Sequence, residues 1–507
     1  MKTILYFLIM GVSALTYAQP DVLWEINLGG SDSEFSYANT ATADGGVVVV
    51  GRSSSSDGDV TNNQGNSDVW VVKLDAQGEI DWQHAYGGSD FEFCYAITQT
   101  SDGGFILGGS SSSNDGDISG NNGGKDGILL KLDSDGNLEW QQSYGGSLSE
   151  DINAVQQTSD GGYIFAATTT SSDGDVTENA GEIDFWIVKT NAIGTIEWQQ
   201  TYGGSENEYP YSIKETSEGG FIIAGNTASD DGDVTFNHGE RDIWVLKLSE
   251  TGTLEWQQTY GGTADDQSLS LLITPDEGYI LAGYSESNNG DVGGNFGDFD
   301  FWVLRFSDDG TILWEQNYGG SDEDRVASIV ALPNGNYAVS GLSFSNDGNV
   351  SGNNGERDFW VLEIDSEGAL QWQESYGGSG IDVATDIVLT SDNGIVISGS
   401  SNSTDGDISN NLGGHDFWVL KLEGILNVAD ESKETVFVYP NPADTFITFN
   451  TDEIEEATIF NALGEIVKVM VISENKAIDV STLSGGWYVV EVKDSSGQKE
   501  YLKFLKR

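Results

Sequence analysis

Four oxygen-bearing side chains return at relative positions 1, 3, 7 and 12 of a polar loop that occurs seven times in this chain. In the first copy they are Asp57, Asp59, Asn63 and Asp68. The first acid recurs as Asp115, Asp173, Asp231, Asp347 and Asp405, with Asn289 in the fifth copy. The second recurs as Asp117, Asp175, Asp233, Asp291 and Asp407, with Asn349 in the sixth. The amide recurs as Asn121, Asn179, Asn237, Asn295, Asn353 and Asn411, and the last acid as Asp126, Asp184, Asp242, Asp300, Asp358 and Asp416. Alternating oxygen donors on a tight backbone suit a hard cation, and the spacing overlaps the calcium loop of the EF-hand. The overlap is partial. Position 5 is Thr or Ser in most copies, glycine is not fixed at position 6, and position 12 is Asp rather than a bidentate Glu. Ca2+ is the one cofactor this pattern suggests. The same residues also suit a purely local role, with Asp57 and Asp59 in Asx-turns and Asp68 accepting backbone N–H bonds ahead of its strand. Both readings stay open on the sequence.

Other columns repeat as strictly. Glu34, Glu92, Glu150, Glu208, Asp266, Asp324 and Asp382 each follow a Gly-Gly linker; a ring of seven carboxylates around one end of a central channel is one expectation for them, and local hydrogen bonding to the Gly-Gly N–H groups is the other. Tyr86 and its equivalents Tyr144, Tyr202, Tyr260, Tyr318 and Tyr376 are expected to pack between repeats. Lys73, Lys131, Lys189, Lys247, Arg305 and Lys421, with Glu363 as the exception, are expected in weak ion pairs at a surface edge. His84, His238 and His415 lie in different copies at different unit positions. No His-Glu-x-x-His, phosphate loop or Gly-x-Ser-x-Gly turn is present. An active site usually breaks repeat symmetry, and no copy stands out as specialised; a non-catalytic protein is expected.

The elements that carry these residues follow from the repeat itself. Trp24, Trp82, Trp140, Trp198, Trp256, Trp314 and Trp372 are spaced by 58 residues every time. Trp70, Trp186, Trp244, Trp302, Trp360 and Trp418 keep the same period, with Ile128 in the second slot. Each unit holds four apolar runs divided by turn residues; in the second copy they are Tyr95 to Gln99, Phe105 to Gly109, Gly127 to Leu132 and Leu138 to Tyr144. Ser101-Asp102-Gly103-Gly104 and Asp133-Ser134-Asp135-Gly136-Asn137 are hairpin signals. Four antiparallel strands per unit, stacked radially, describe a propeller blade. The last copy lacks its fourth strand and the chain opens with that strand, Val22 to Asn27, so the N-terminal segment is expected to complete blade seven. The fold class is all-β: a seven-bladed β-propeller of four-stranded blades over 19–424.

Composition narrows the partners. Against 21 Lys and Arg stand 82 Asp and Glu, a net charge of -61, which excludes nucleic acid as a partner because phosphate binding needs clustered bases. Lys2, the apolar run Ile4 to Leu15 and Thr16-Tyr17-Ala18 read as a signal peptide over 1–18. No later apolar run is long enough to span a bilayer. Cys94 is the sole cysteine, so no intrachain disulfide forms, and a buried small hydrophobe is its expected role.

Periodicity ends at Gly424, and 425–435 read as a linker. Val438-Tyr439-Pro440-Asn441-Pro442-Ala443, Ala457 to Gly464, Ile478 to Leu483, Gly485-Gly486-Trp487-Tyr488-Val489-Val490 and Lys503-Phe504-Leu505-Lys506 then follow in order. With these motifs the segment 436–507 resembles the type A C-terminal sorting domain of Bacteroidetes proteins exported by the type IX secretion system. Trp487 extends the usual Gly-x-Tyr segment. The resemblance implies a small β-sandwich read by the secretion machinery, and a protein secreted or held at the outer cell surface. Its short alternating strands, split by turns such as Pro440-Asn441-Pro442 and Ser495-Ser496-Gly497, agree with an all-β unit. The expected function is a binding or adhesion scaffold, suited by its aromatic content to carbohydrate, with a glycan or a protein as extracellular ligand. A calcium-stabilised structural surface protein and an extracellular hydrolase are the alternatives.

Overall fold

The computed structural model describes residues 20–424 and, in the tail, 438–439, 442–449, 454–461, 466–471, 477–494 and 499–507. The expected signal peptide at 1–18, the linker at 425–435, residues 462–464, and the turns at Pro440-Asn441 and Ser495-Ser496-Gly497 lie outside the described residues. The chain divides into two units, with the boundary after Leu426.

In the first unit, seven four-stranded antiparallel sheets form the blades of a β-propeller. Blade one runs Glu34–Ala41, Val47–Ser53, Asp68–Leu74 and Ile80–Tyr86 from the channel outward. Blade seven is built from Asp382–Leu389, Ile395–Ser401 and Asp416–Leu422, and Val22–Leu28 supplies its outer strand. The expected closure is present: Trp24 pairs with Lys421, Glu25 with Leu420 and Asn27 with Trp418. The inner strands begin earlier than the apolar runs suggest, at Glu92 rather than Tyr95 in blade two. Hydropathy marks only the apolar stretch, while the ladder continues through a buried carboxylate.

The core lies between blades. The third strands are buried from end to end, with only Arg305 half-buried, the pattern of a strand covered on both faces. In four blades a phenylalanine at the second position of the third strand, Phe185, Phe301, Phe359 or Phe417, meets the tryptophan at the third position in the next blade. Phe359 packs on Trp418 at 4.4 Å, Phe301 on Trp360 at 4.6 Å, and Phe417 on Trp70 at 4.7 Å across the closure. Val69 and Ile243 hold that position in blades one and four, and Gly127 in blade two, where Phe165 and Ile152 fill the cluster around Trp186. Removing one such buried tryptophan costs about 3–5 kcal/mol. The tyrosine column fastens blade to blade, as when the Tyr144 hydroxyl donates to Gly194 O at 2.6 Å and that of Tyr260 to Gly310 O at 2.6 Å.

The second unit holds two sheets. Val438–Tyr439, Phe446–Phe449 and Ile478–Asp479 form one; Ile466–Val471, Ile454–Phe460, Gly486–Asp494 and Lys499–Lys506 form the other. Ile447, Ile459, Val480, Val490 and Phe504 fill the core between them, a small β-sandwich as expected.

Candidate functional site: the lined channel and its mouth

The polar loops hold the blade linkers by backbone bonds. Asp57 Oδ1 accepts the Ser31 N–H at 2.8 Å, and Asp59 Oδ2 accepts that of Gly29 at 3.2 Å. The same bonds recur from Asp115 to Ser89, Asp173 to Ser147, Asp231 to Ser205, Asp347 to Ser321 and Asp405 to Ser379. They recur also from Asp117 to Gly87, Asp175 to Gly145, Asp233 to Gly203, Asp291 to Gly261 and Asp407 to Gly377. Asn289 and Asn349 keep both bonds with amide oxygens, at 3.1 and 3.3 Å. Asn63 donates to Ser53 O and Ser55 O and accepts from Gly65, closing its own loop. Asp68 Oδ2 accepts the Gln64 N–H at 2.7 Å. Among the described residues, no group of three or more His, Cys, Asp or Glu side chains is gathered so as to hold a metal ion.

The second carboxylate series takes the local one of its two expected roles, bonding the N–H groups of the Gly-Gly linkers. Glu34, Glu92, Glu150, Glu208, Asp266, Asp324 and Asp382 are the first residues of their strands and are 0% exposed, so they do not ring the channel mouth. Each is drawn inward by bonds to its linker and second strand: Glu92 accepts Gly88 N–H at 2.9 Å and the Ser111 hydroxyl at 2.6 Å. Beside it lies Asp68, also fully buried, whose Oδ1 has no hydrogen-bond partner. That oxygen faces Gly87, where a β-carbon would stand 2.4 Å from it; only glycine lets the linker pass, leaving the oxygen a weak C–H contact. The same orphan oxygen recurs at Asp126, Asp184, Asp242, Asp300, Asp358 and Asp416. Burial pushes the Asp68 carboxyl up to about 6, and that of Asp300 to about 7.

The basic column is not a surface edge either. The Lys73 side chain is 7% exposed and its ammonium lies 2.8 Å from both Asp44 and Asp81. Lys189 makes the same pair of contacts with Asp160 and Glu197. Packing of the alkyl stem between blades buries it. Cys94 is buried as expected, and burial pushes its thiol up to about 12.

Specialisation resides in columns that do not repeat. In every blade the ladder between the first two strands skips one residue. Ser36 pairs with Gly51 and Ala38 with Val50, leaving Tyr37 as a β-bulge. The bulged residues are Tyr37, Tyr95, Asn153, Tyr211, Leu269, Ala327 and Thr385. A bulge re-aims a side chain, and all seven line one cavity of about 430 Å3, together with Tyr284 and Arg325. Gly51 makes the bulge possible, since a β-carbon there would lie 2.0 Å from Phe35 O. Around the cavity Tyr37 and Tyr95 meet at 5.3 Å, and Arg52 Nε donates to the Tyr37 hydroxyl at 3.2 Å. A second cavity of about 410 Å3, lined by the same bulged residues and those that follow them along the inner strands, holds Lys214 and Asp386, which stand where the other blades have only uncharged residues. Asp386 accepts the Asn39 N–H at 2.8 Å; burial raises its carboxyl and lowers the Lys214 ammonium. Reading for repetition missed these residues; the signal was their irregularity within a regular frame.

Residues 437–506 match the family described as the secretion system C-terminal sorting domain. The tail is a type IX sorting domain. The protein is thus a β-propeller exported through that system, secreted or held at the cell surface. No helix among the described residues is long and apolar enough to cross a membrane. Among curated proteins, the regulatory protein FlaEY of Caulobacter vibrioides is 24% identical over 229 residues, 41% of this chain and 23% of that protein. β-Agarase A of Zobellia galactanivorans is 37% identical over 75 residues, 14% of each chain. The chain therefore spans less than a quarter of the length of either relative. Among solved structures, a Dyadobacter fermentans protein of unknown function is 12% identical, covering 80% of this chain and 99% of its own at a TM-score of 0.39. The Pan2 WD40 domain of Neurospora crassa is 11% identical, with coverage of 80% and 98% and a TM-score of 0.43.

Proposed function

We propose that the protein is a non-catalytic binding and adhesion scaffold that takes carbohydrate into the mouth of its propeller channel. The observation that carries this reading is the convergence of seven bulged residues on one cavity while the surrounding columns repeat. Tyr37, Tyr95 and Tyr211 line that wall, and sugars are held by stacking on aromatic rings with a few placed polar groups. A cavity of about 430 Å3 lies in the range of small-ligand sites. Because the bulged side chain is outside the ladder, Tyr211→Ala should leave the fold intact and weaken glycan binding by about tenfold, the loss of roughly one stacking contact. A glycan array followed by calorimetry on the best binder tests this, and no release of reducing ends should accompany binding. Failure of every glycan to bind, or unchanged affinity in Tyr211→Ala, overturns the reading; turnover of the bound glycan overturns its non-catalytic part.

A further inference from the structure

We infer that the ligand of the channel mouth is an anionic saccharide, bearing carboxylate or sulfate groups, and that Arg52 and Arg325 recognise its charge. This inference rests on the carbohydrate-binding reading and adds the charge of the ligand.

The argument starts from where this acidic protein keeps its cations. The lysines of the third strands are consumed by carboxylates, as Lys73 is by Asp44 and Asp81. The five arginines of the propeller are distributed differently. Arg305 alone joins that column, paired to Asp276 at 2.6 Å. Arg52, Arg241, Arg325 and Arg357 occupy variable columns of the inner and second strands and of the segment entering the third.

Aromatic rings hold three of these guanidiniums. Arg52 Cζ stands 4.8 Å from the Phe35 ring centre and 5.1 Å from that of Phe93 on the next blade. Arg325, which lines the cavity, lies 4.8 Å from Phe299 and 5.3 Å from Tyr284. Arg357 lies 5.5 Å from Phe344, and its Nε has no hydrogen-bond partner. Arg325 Nε meets Glu323 at 2.6 Å and Arg241 Nε lies 3.5 Å from Asp265. Among the described residues, Arg52 and Arg357 form no ion pair with a carboxylate, in a chain with 82 acids.

A guanidinium stacked on aromatic rings keeps its terminal nitrogens for a ligand even where its Nε is engaged, as Arg52 Nε is by Tyr37 and Arg325 Nε by Glu323. Those nitrogens present parallel N–H donors matched to carboxylate or sulfate oxygens. Arg52 is bonded to the hydroxyl of Tyr37, a cavity-lining residue, so the charge and the stacking face belong to one site. An acidic peptide would satisfy the charge but has no use for a tyrosine-lined wall.

The test compares matched probes on the purified full-length chain by titration calorimetry. Polygalacturonate is set against its methyl ester, and a sulfated galactan against its desulfated form, with poly-glutamate as the peptide control. The charged member of at least one pair should bind about tenfold or more tightly, and R52Q or R325Q should each remove most of that difference, since a charge-assisted bond is lost. R305Q, outside the cavity, should leave it unchanged, and all three variants should melt as folded proteins. The two pairs separate carboxylate from sulfate. Equal binding of charged and neutral members, or a preference unaffected in both R52Q and R325Q, overturns the inference and leaves the carbohydrate reading standing. Binding of poly-glutamate alone, or of no saccharide, overturns both.

Discussion

Asn334 Nδ2 donates to Glu363 Oε1 at 2.9 Å, at a place where the equivalent pair in blade one is Asp44 and Lys73. The charge column thus changes sign in one blade, and its partners change with it. Gln371 replaces the acid found at Asp81, while Asn336 and the Trp372 indole also donate to Glu363. A lone E363K substitution should place an ammonium among donors and destabilise the propeller by about 1–3 kcal/mol. Adding N334D and Q371E should recover most of that loss. Thermal melting of the single and triple variants checks this; a triple variant no more stable than E363K means the column is not a matched set.

Stability should depend on pH through the buried carboxylates. The folded values of Asp68, Asp126, Asp184, Asp358 and Asp416 are about 6, raised first by burial from an ordinary 3.8. Between these values the folded state binds more protons than the unfolded one, so their contribution is full below 3.8 and is lost as pH rises through about 6. Asp160 works in the opposite direction. The Thr158 hydroxyl and, against burial, the Lys189 ammonium hold it at about 2, so its contribution is lost as pH falls from 3.8 through 2. The melting temperature should therefore peak near pH 4–5 and fall by several degrees toward pH 8. Calorimetry in high salt, which screens the general repulsion, decides it. A melting temperature that is flat or rising from pH 5 to 8 refutes the account, and Asp68→Asn should flatten the slope.

Calcium should stabilise the propeller no more than sodium chloride at matched ionic strength. One oxygen each of Asp57, Asp59 and Asn63 is committed to the Ser31, Gly29 and Gly65 N–H groups. A cation bound to the folded state would raise the melting temperature with its concentration. Scans with calcium, magnesium, chelator and matched salt expose any such rise, and a calcium-specific gain would decide for the metal reading of these loops.

Deleting residues 21–30 should lower the melting temperature by several degrees or cause aggregation. It removes the ladder from Val22 to Leu28 and bares the edge of blade seven. It also takes away Glu25, the acceptor for the Trp418 indole. A truncated protein that melts like the intact one and stays monodisperse would mean that closure contributes nothing.

The blade architecture was legible because its causes are local and recur: a tryptophan column, two hairpin turns and a strand-length period. The closing strand was legible for the same reason, since its fragment is visibly out of phase. Burial was harder to read. Glu92 and Lys73 look like surface residues by type, and only the packing of one blade on the next shows that they lie inside. The cavity was least legible. Nothing in the letters 36–38 announces that the ladder skips Tyr37, because a bulge depends on the partner strand, here on Gly51.

A residue that the ladder skips contributes little to holding the ladder together. Seven such residues, one from each blade, therefore form a word whose letters can be rewritten one at a time without endangering the page. The frame bears the load of folding, and the bulges are left to be shaped by whatever the cell meets outside. A duplicated blade would bring one more letter already facing the cavity, so new ligands become reachable by point substitution where an ordinary core would demand concerted repacking.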